Sequence, residues 1–238
     1  MMNLMLGDCL ERMKEIPDGS VDMILCDLPY GTTSCKWDVV IPFEPLWAQY
    51  KRIIKDNGAI LLFGREPFTS KLVNSNIGGY KHKWIWNKKQ SGSFQNAKYM
   101  PLQIDEDLIV FTANGEKVRY YPQMRKGKMR KRGGAKEKSG VVGNGLVKGY
   151  ENYGDMYYPV NIIEIANSRI NKLHPTQKPV ELCEYLIETY TNEGETVLDN
   201  CMGSGTVGVA CKNLNRKFIG IEKDETYFKI AQDRIAAI

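Results

Sequence analysis

The segment Asp27-Leu28-Pro29-Tyr30 combines a carboxylate, a stiffened turn and an aromatic ring, directly after an apolar run that is typical of a buried strand. In an open α/β sheet, ligands bind in the crevice at the carboxyl ends of the strands, where this segment would lie. The Asp27 carboxylate and the Leu28 backbone carbonyl could accept the two N–H bonds of an amino group, and Pro29 would fix the direction of that carbonyl. The alternative is an ordinary strand-end turn with a core tyrosine.

Two such acceptors suit one particular reaction, the alkylation of an amino group on an aromatic ring. The lone pair of adenine N6, for example, is delocalised into the ring, and acceptors on its N–H bonds would localise it toward a methyl donor. Positive charge developing on that nitrogen would be stabilised by the Asp27 carboxylate and the Leu28 carbonyl. Inside a duplex the nitrogen is base-paired, so the base would have to leave the helix, and Tyr30 could then stack on it.

The segment from Asp199 to Thr206 is a second candidate site, because it runs from an apolar strand through a glycine turn into a predicted helix. Glycine permits a sharp turn and a close approach to a ligand, and the helix start offers free N–H groups to a carboxylate or phosphate. Glu222, sixteen residues beyond Thr206, ends the next strand and is well placed to bind a ribose diol.

The spacing Gly203-x-Gly205-x-x-Gly208 also matches the dinucleotide fingerprint, so an NAD site and a simple tight turn are both alternatives. Only about thirty residues follow this loop, whereas a dinucleotide fold needs several more strands after it. The missing strands lie earlier in the chain, which indicates a circularly permuted sheet.

The elements that must position these segments alternate between apolar runs and amphipathic stretches, which favours a doubly wound, mostly parallel α/β sheet. Strands are predicted at 21–26, 59–63, 84–86, 108–111, 196–198 and 218–221, and helices at 43–55, 179–190, 205–214 and 225–235. The chain is thereby divided into a first half at 1–113, an insertion at 114–172 and a second half at 173–238.

The insertion is strongly basic. Residues 116–148 hold eleven cations and two acids, a net +9 that leaves the rest of the chain at −4. A net-acidic body with one basic segment fits a polyanionic partner that is contacted at one place. The segment is rich in glycine and lacks periodicity, so it is predicted to be loop-rich and partly disordered without its partner. The alternative is a solvated, flexible loop.

Cysteine spacing argues against a metal site, and hydropathy argues against a membrane span or a signal peptide. The six cysteines form no CxxC pair, and only His82 and His174 could join them, so no metal site is predicted and the thiols are expected to be reduced and mostly buried. No apolar run approaches the length of a membrane span, and the N-terminus shows no signal-peptide pattern. A cytoplasmic location is therefore expected by default.

Five segments together resemble the permuted (β) group of amino-DNA methyltransferases over nearly the whole chain. Residues 27–30 are similar to that group's catalytic Asp-Pro-Pro-Tyr, and Gly7-Asp8 to its N-terminal Gly-Asp. Residues 174–179 carry its His-Pro-Thr-Gln-Lys-Pro segment intact. Residues 199–206 resemble its Asp-Pro-Phe-x-Gly-Ser-Gly-Thr loop, and residues 220–222 match its Gly-Ile-Glu strand end. The order of the five segments is the order expected of that group.

The resemblance implies a Rossmann-like methyltransferase fold, S-adenosyl-L-methionine as cofactor, double-stranded DNA as substrate, no metal and a homodimer as one assembly. It implies catalytic roles for Asp27, Leu28, Pro29 and Tyr30. Cofactor contacts are implied for Asp8, Asp199, Cys201, Gly203, Ser204, Gly205, Thr206 and Glu222. The family's target-recognition segment falls on the insertion, where DNA contacts are expected from Arg125, Lys126, Lys128, Arg130, Lys131 and Arg132.

The resemblance favours direct in-line methylation of adenine N6, because cytosine-N4 members usually carry serine where this chain has Asp27. Methylation of cytosine N4 stays an alternative. Two departures stand out: Leu28 replaces the first proline of the catalytic motif, and Asn200-Cys201 replaces Pro-Phe, which predicts weaker cofactor affinity. Two further classes are an enzyme that methylates an RNA or protein amine, and a catalytically silent nucleic-acid-binding protein. Competition between DNA, RNA and protein substrates would distinguish the RNA or protein methyltransferase. Failure to bind the cofactor would identify the silent nucleic-acid-binding protein.

Overall fold

The computed structural model describes residues 1–33, 35, 38–91, 94–132, 152–167, 173 and 177–238. The chain divides into two units, one made of Met1–Tyr121 and Asn161–Ile238 and the other of Pro122–Val160. The smaller unit is narrower than the predicted insertion at 114–172, because the residues on both sides of it belong to the larger unit.

The described strands are β1 (Met2–Leu6), β2 (Val21–Cys26), β3 (Ile54–Gly64), β4 (Tyr80–Asn87), β5 (Asp105–Phe111), β6 (Arg125–Arg132), β7 (Asn152–Tyr157), β8 (Ile162–Glu164), β9 (Thr196–Asp199) and β10 (Lys217–Glu222). The described helices are α1 (Cys9–Arg12), α2 (Phe43–Ile53), α3 (Phe68–Ser75), α4 (Val180–Tyr190), α5 (Thr206–Asn213) and α6 (Glu225–Ala236). Of the helices in the described ranges, none has the length and apolar character needed to cross a membrane.

Eight strands of the larger unit form one sheet in the order β1-β10-β9-β2-β3-β5-β4-β8. The pairs from β1 through β3 are parallel, β5 runs antiparallel to both β3 and β4, and β8 lies parallel to β4. The sheet is therefore mostly parallel, as predicted. Because β9 and β10 come from the end of the chain but lie beside β2 and β1, the sheet is circularly permuted.

The central strand β2 explains why both faces of the sheet are covered. All six of its residues are buried, and consecutive side chains point to opposite faces. Met23 and Leu25 belong to the core that packs under α4, α5 and α6. Ile24 and Cys26 belong to the core under α1, α2 and α3. A strand buried on both faces reads as a nearly continuous apolar run, which is the signal found at 21–26 with Asp22 as the one exception.

Several bounds differ from the predicted ones. Helix α2 ends at Ile53 rather than at residue 55, and β3 begins at Ile54, because Ile54 is buried and pairs with Val21 at the start of β2. Strand β1 was not predicted, since its residues are only partly buried at the edge of the sheet and Asn3 interrupts the apolar run. Helix α3 and strand β8 were also not predicted.

The smaller unit contains an antiparallel pair, β6 and β7, which the aperiodic sequence does not predict. The register shifts between Lys126 and Arg130. Close to this irregularity, the Tyr157 hydroxyl donates to the Lys128 carbonyl oxygen at 2.7 Å. A side chain at Gly127 would lie 2.8 Å from the Tyr157 ring, so any larger residue there would displace that ring.

Candidate active site

The two candidate segments lie side by side because β2 and β9 pair in parallel, Met23 with Val197 and Ile24 with Leu198. Their carboxyl ends therefore meet at the same edge of the sheet, and a cavity of about 790 Å³ lies there. This volume is within the range of small-molecule sites. The lining includes the predicted residues Asp8, Asp27, Leu28, Pro29, Tyr30, Asp199, Cys201, Gly203, Ser204, Thr206 and Glu222. Gly205 is the one predicted cofactor residue outside this lining.

A cluster of charged side chains surrounds Asp27. The Lys178 ammonium lies 2.6 Å from Asp27 Oδ2 and 3.1 Å from Glu106 Oε1. The Tyr30 hydroxyl lies 2.9 Å from Asp27 Oδ1 and 3.0 Å from Glu106 Oε1, and its single hydrogen can be donated to one of them at a time. Lys88 lies 3.6 Å from the other Glu106 oxygen. Two carboxylates and two ammonium groups thus share one wall of the cavity.

Burial and the charges of neighbouring side chains shift the pKa values of this cluster in opposite directions. Burial raises the pKa of Asp27 above its usual range, and repulsion from Glu106 adds to this, although Lys178 acts against it. Burial would also raise the pKa of Glu106, but Lys178 and Lys88 outweigh it and hold that pKa below its usual range. Burial would lower the pKa of Lys178, yet its two carboxylate partners raise it. The ammonium of Lys178 is therefore retained throughout the neutral pH range.

The turn after Asp27 is held in place on both sides. The Tyr30 ring stacks on Phe68 of α3, with ring centroids 4.8 Å apart and planes 25° apart. Asp38 fixes the loop that follows, since its carboxylate accepts hydrogen bonds from the backbone N–H groups of Gly31, Thr32 and Thr33 at 2.7–2.9 Å. Burial would raise the pKa of Asp38, but these hydrogen bonds lower it, so the carboxylate stays ionised.

The predicted cofactor loop is closed by Glu222 at the end of β10. One oxygen of its carboxylate accepts from the Gly203 N–H at 2.8 Å, and the other accepts from the N–H groups of Lys223 and Asp224 at 2.9 and 2.8 Å. A carboxylate has about four acceptor positions, so these three bonds leave one on the oxygen that faces Gly203. Glu222 can therefore hold the loop and accept from a ligand hydroxyl at the same time.

Gly205 acts through its backbone. It has a φ of +76° and directly precedes α5, and an added side chain would lie 2.9 Å from the Ala231 side chain of α6. Helix α6 also braces the loop through Arg234, whose guanidinium donates to the Ser204 carbonyl oxygen at 3.1 Å and to the Thr206 hydroxyl at 2.9 Å. The close approach of the two helices thus explains why glycine occupies position 205.

The residues that replace Pro-Phe have their own contacts. Asn200 is buried and accepts a hydrogen bond from the Tyr50 hydroxyl of α2 at 2.6 Å. The Cys201 backbone N–H donates to the Asp199 carboxylate at 3.1 Å. Burial raises the pKa of Asp199 to about 7. Cys201 is partly exposed to the cavity, and its thiol is free.

Asp8 lies at the rim of the same cavity, where it caps α1 by accepting from the Leu10 N–H at 3.0 Å. Its carboxylate is 3.7 Å from the Lys223 ammonium, and about half of its side chain is exposed. This is the position at which the resemblance places a contact to the cofactor's adenine.

The six cations of the insertion that are expected to contact DNA belong to the smaller unit, whereas Lys117 and Arg119 belong to the larger one. Arg125, Lys126 and Lys128 are exposed on β6, and Lys126 lies 3.9 Å from Asp155. Arg130, Lys131 and Arg132 continue the same strand, and their side chains lie outside the described set, as do residues 133–151 and 174–176. Within the described part of the chain, no cluster of three or more His, Cys, Asp or Glu side chains could hold a metal ion.

Several residues of the site were given no role in the sequence analysis, among them Lys178, Glu106, Asp38 and Tyr50. Lys178 lies inside the quoted 174–179 segment, so its motif was a usable signal. Glu106 lies between two other acids at the start of β5, which reads as a solvated strand end. Asp38 and Tyr50 have no local signal, because each acts on a backbone or side chain that only the fold brings close.

The sequence profile of the N6/N4 DNA methylase family matches residues 21–233. The chain belongs to this family. M.HpaI of Haemophilus parainfluenzae, a type II methyltransferase, is 27% identical over 98% of this chain and 73% of its own length. M2.DpnII of Streptococcus pneumoniae, also a type II methyltransferase, is 27% identical over 99% of the chain and 90% of its own length. The crystal structure of the M1.HpyAVI–SAM complex has a TM-score of 0.68 at 26% identity and covers 98% of this chain and 100% of that chain.

The protein is accordingly a site-specific DNA methyltransferase of the N6/N4 type that uses S-adenosyl-L-methionine. The cavity of this methylase fits that cofactor by its donor set. Glu222 offers a free acceptor position for a ribose hydroxyl, and the start of α5 offers backbone N–H groups for a carboxylate. Val207, Met202 and Leu10 contribute apolar lining. The charged cluster around Asp27 borders the same space.

Proposed function

We propose that this methyltransferase transfers the methyl group to N6 of adenine in double-stranded DNA, directly and in line, onto a base that has left the duplex. One observation carries the proposal: a single cavity is lined by both the Asp27 carboxylate and the loop from Asp199 to Thr206. The family includes N6 and N4 enzymes. Aspartate at position 27, rather than serine, favours adenine, and methylation of cytosine N4 is the second candidate.

The cofactor is proposed to lie along the loop, where it supplies an electrophilic methyl group. Glu222 binds a ribose hydroxyl of the cofactor through its remaining acceptor position, and Asp8 contacts the cofactor's adenine ring. The start of α5 holds the carboxylate, because its N–H groups and dipole favour negative charge. Side chains or backbone of Asp199, Cys201, Gly203, Ser204 and Thr206 form the surrounding wall, and Gly205 allows the turn.

The target amine is proposed to reach the end of β2. Asp27 and the Leu28 carbonyl accept its two N–H bonds, which directs the nitrogen lone pair toward the methyl group. As the nitrogen forms its new bond it gains positive charge, and the same two acceptors stabilise that charge. Pro29 restricts the turn, and the Tyr30 ring, held by Phe68, forms part of the wall against which the base rests.

Contact with the DNA is assigned to the smaller unit. Arg125, Lys126 and Lys128 are exposed on β6, and Arg130, Lys131 and Arg132 follow on the same strand. Such a row of cations suits the phosphates of a duplex, which position the protein without reading the sequence. The related type II methyltransferases are bacterial, and bacterial DNA lies in the cytoplasm, so we propose that location for this enzyme. The homodimer implied by the resemblance would be tested by light scattering.

The experiment is incubation of the purified protein with unmethylated duplex DNA and methyl-labelled S-adenosyl-L-methionine, followed by mass spectrometry of the digested nucleosides. N6-methyladenine is the expected product. N4-methylcytosine would overturn the assignment of the base, and labelling of RNA or protein but not DNA in a competition assay would overturn the choice of substrate. Single-stranded DNA of the same sequence serves as the control for the duplex.

A further inference from the structure

The Asp27 carboxylate has both of its oxygens engaged before any substrate arrives. Oδ2 lies 2.6 Å from the Lys178 ammonium, and Oδ1 lies 2.9 Å from the Tyr30 hydroxyl. A carboxylate that must accept an N–H from an incoming amine has to release at least part of one of these contacts. The released donor then needs another acceptor, because an unpaired buried donor costs about 1–3 kcal/mol, or more if it is charged.

Glu106 offers the same oxygen to both of these donors. Its Oε1 is 3.0 Å from the Tyr30 hydroxyl and 3.1 Å from the Lys178 ammonium. Either donor can therefore move its hydrogen bond from Asp27 to Glu106 with little or no displacement of heavy atoms. The Glu106 and Lys178 side chains are only 11% and 10% exposed, so water is a poor substitute for either partner.

The charged groups around the cluster balance its charge while hydrogen bonds move from Asp27 to Glu106. Lys88 lies on the second oxygen of Glu106, at 3.6 Å, and compensates its charge. The other titratable groups that interact with Asp27 are Cys26 on β2, Asp199 on β9 and Cys183 on α4. Burial raises the pKa of both thiols above their usual range, so they stay neutral. Asp199 adds negative charge only as the pH passes its own pKa of about 7.

We propose that Glu106 and Lys178 are positioning residues for methyl transfer, and that Glu106 accepts the Tyr30 hydroxyl and then the Lys178 ammonium as the target amine occupies Asp27. This inference rests on the proposed function. Lys178 keeps Asp27 ionised until the amine arrives. Glu106 keeps Lys178 paired when Asp27 no longer needs it.

The sequence of events balances charge and protons. The Tyr30 hydroxyl turns its hydrogen to Glu106, which frees Asp27 Oδ1 for an N–H of the amine. The nitrogen lone pair forms the new N–C bond while the C–S bond breaks toward sulfur, so the nitrogen becomes positively charged. The nitrogen then loses one proton to the Asp27 carboxylate. As Asp27 becomes neutral, the Lys178 ammonium pairs with Glu106, and Asp27 later returns its proton to solvent.

A purely structural ion pair would not need this arrangement. Buried ion pairs are often no more stabilising than apolar replacements, so a lysine shared by two carboxylates is expensive to keep. All four side chains also line the cavity rather than the core behind it. A shared lysine that borders the reaction space is instead suited to a charge that must move during turnover.

The test is the pH dependence of the single-turnover rate, with saturating cofactor and duplex DNA. The acid limb of that profile reports the ionisation of Asp27. Glu106→Gln removes a repelling charge, so the acid limb moves to lower pH by about one unit, and the rate falls. Lys178→Met removes the attracting charge, so the limb moves to higher pH by a similar amount.

Two further variants keep the result decisive. Lys178→Arg retains the charge, so its acid limb stays where the wild type has it while the rate falls. Asp107→Asn is the matched control, because Asp107 is the neighbour of Glu106 on β5 but pairs with Lys83 and Thr69 and does not line the cavity. It leaves the profile unchanged. If Glu106→Gln fails to fold, the comparison of Lys178→Met with Lys178→Arg carries the test.

Cofactor affinity, measured by calorimetry, is expected to stay within about twofold of wild type in every folded variant, because none of these side chains holds the cofactor loop. Acid limbs that coincide in all variants, or that move in the same direction for Glu106→Gln and Lys178→Met, would overturn the inference while leaving the proposed function intact. A wild-type enzyme that forms no methylated adenine would instead overturn the proposed function.

Discussion

The Tyr50 hydroxyl donates to the side-chain oxygen of Asn200 at 2.6 Å, which ties α2 to the proposed cofactor loop at 199–206. Both groups are fully buried. Asn200 stands where the motif of the resembled group has proline, so in this chain the loop is held at that position by a side-chain hydrogen bond.

Tyr50→Phe is therefore expected to weaken cofactor binding. The change leaves the Asn200 oxygen buried without this donor, at a cost of about 1–3 kcal/mol, which corresponds to a roughly five- to hundredfold rise in Kd if the loop depends on it. Calorimetric titration with S-adenosyl-L-methionine measures the effect. Tyr99→Phe is the control. Because Tyr99 is 87% exposed, the cofactor affinity of this variant should equal that of the wild type. An unchanged Kd in Tyr50→Phe would show that the loop is held without α2.

Arg234→Lys is expected to raise the Kd for the cofactor by about three- to tenfold. One guanidinium nitrogen, Nη1, donates to both Ser204 and Thr206. The shorter lysine side chain ends before this position, so its ammonium cannot keep both contacts. The exposed Lys229 on the same helix provides the control, as Lys229→Ala should leave binding unchanged. If both variants bind the cofactor like the wild type, α6 does not brace the loop.

Asp199→Asn is expected to stabilise the fold at alkaline pH. Because burial raises the folded-state pKa of Asp199 to about 7, its contribution to stability is full below the unfolded-state value and is lost as the pH rises through 7. The amide carries no such cost, so the variant gains about 4 kcal/mol at about pH 8.5 and about 2 kcal/mol at about pH 5. Urea unfolding at the two pH values measures the difference. An equal free-energy change at both would contradict a protonated Asp199.

Removal of cations from β6 is expected to weaken DNA binding and reduce its salt dependence. Each phosphate that a cation no longer neutralises lowers the slope of log K against log salt by about 0.9. Replacement of Arg125, Lys126 and Lys128 by alanine should therefore reduce the slope by about 2–3 while cofactor affinity stays the same. Lys51→Ala is the control, since the end of α2 that carries it leads to the start of β3, at the sheet edge opposite Asp27. A slope that falls equally in both variants would argue against contact between the β6 cations and DNA phosphates.

The sequence predicts the central strands and the two candidate segments at 27–30 and 199–206 well, because each carries a local signal. The run at 21–26 is apolar except for Asp22, since both faces of β2 are buried. Asp22 is buried as an ion pair with Lys55 and Arg119. The glycines at 203 and 205 have φ values of +51° and +76°, which few other residues adopt, so the turn is visible in the residue types. Edge strand β1 and the strands of the basic insertion lack such signals, because neither is buried on both faces.

The charged cluster could not be predicted to the same extent. Lys178 and Asp27 are 151 residues apart in sequence, and their pairing depends on how α4 packs beside β2. Glu106 reads as one of three acids at a strand start, and only the fold shows that it faces Lys178 while Asp107 faces Lys83. Local patterns report burial and turn geometry, whereas partners that meet through tertiary packing leave no trace in spacing.

Asp27→Ala tests the central claim, that chemistry takes place at Asp27 while the cofactor is held by the loop from Asp199 to Thr206. The measurement is the single-turnover rate of adenine methylation together with calorimetric cofactor affinity for the same preparation. The rate is expected to fall by about 10³-fold, because the acceptor that stabilises the developing charge is removed, and the Kd is expected to stay within about threefold. Loss of both in equal measure, or a rate close to that of the wild type, would contradict the assignment.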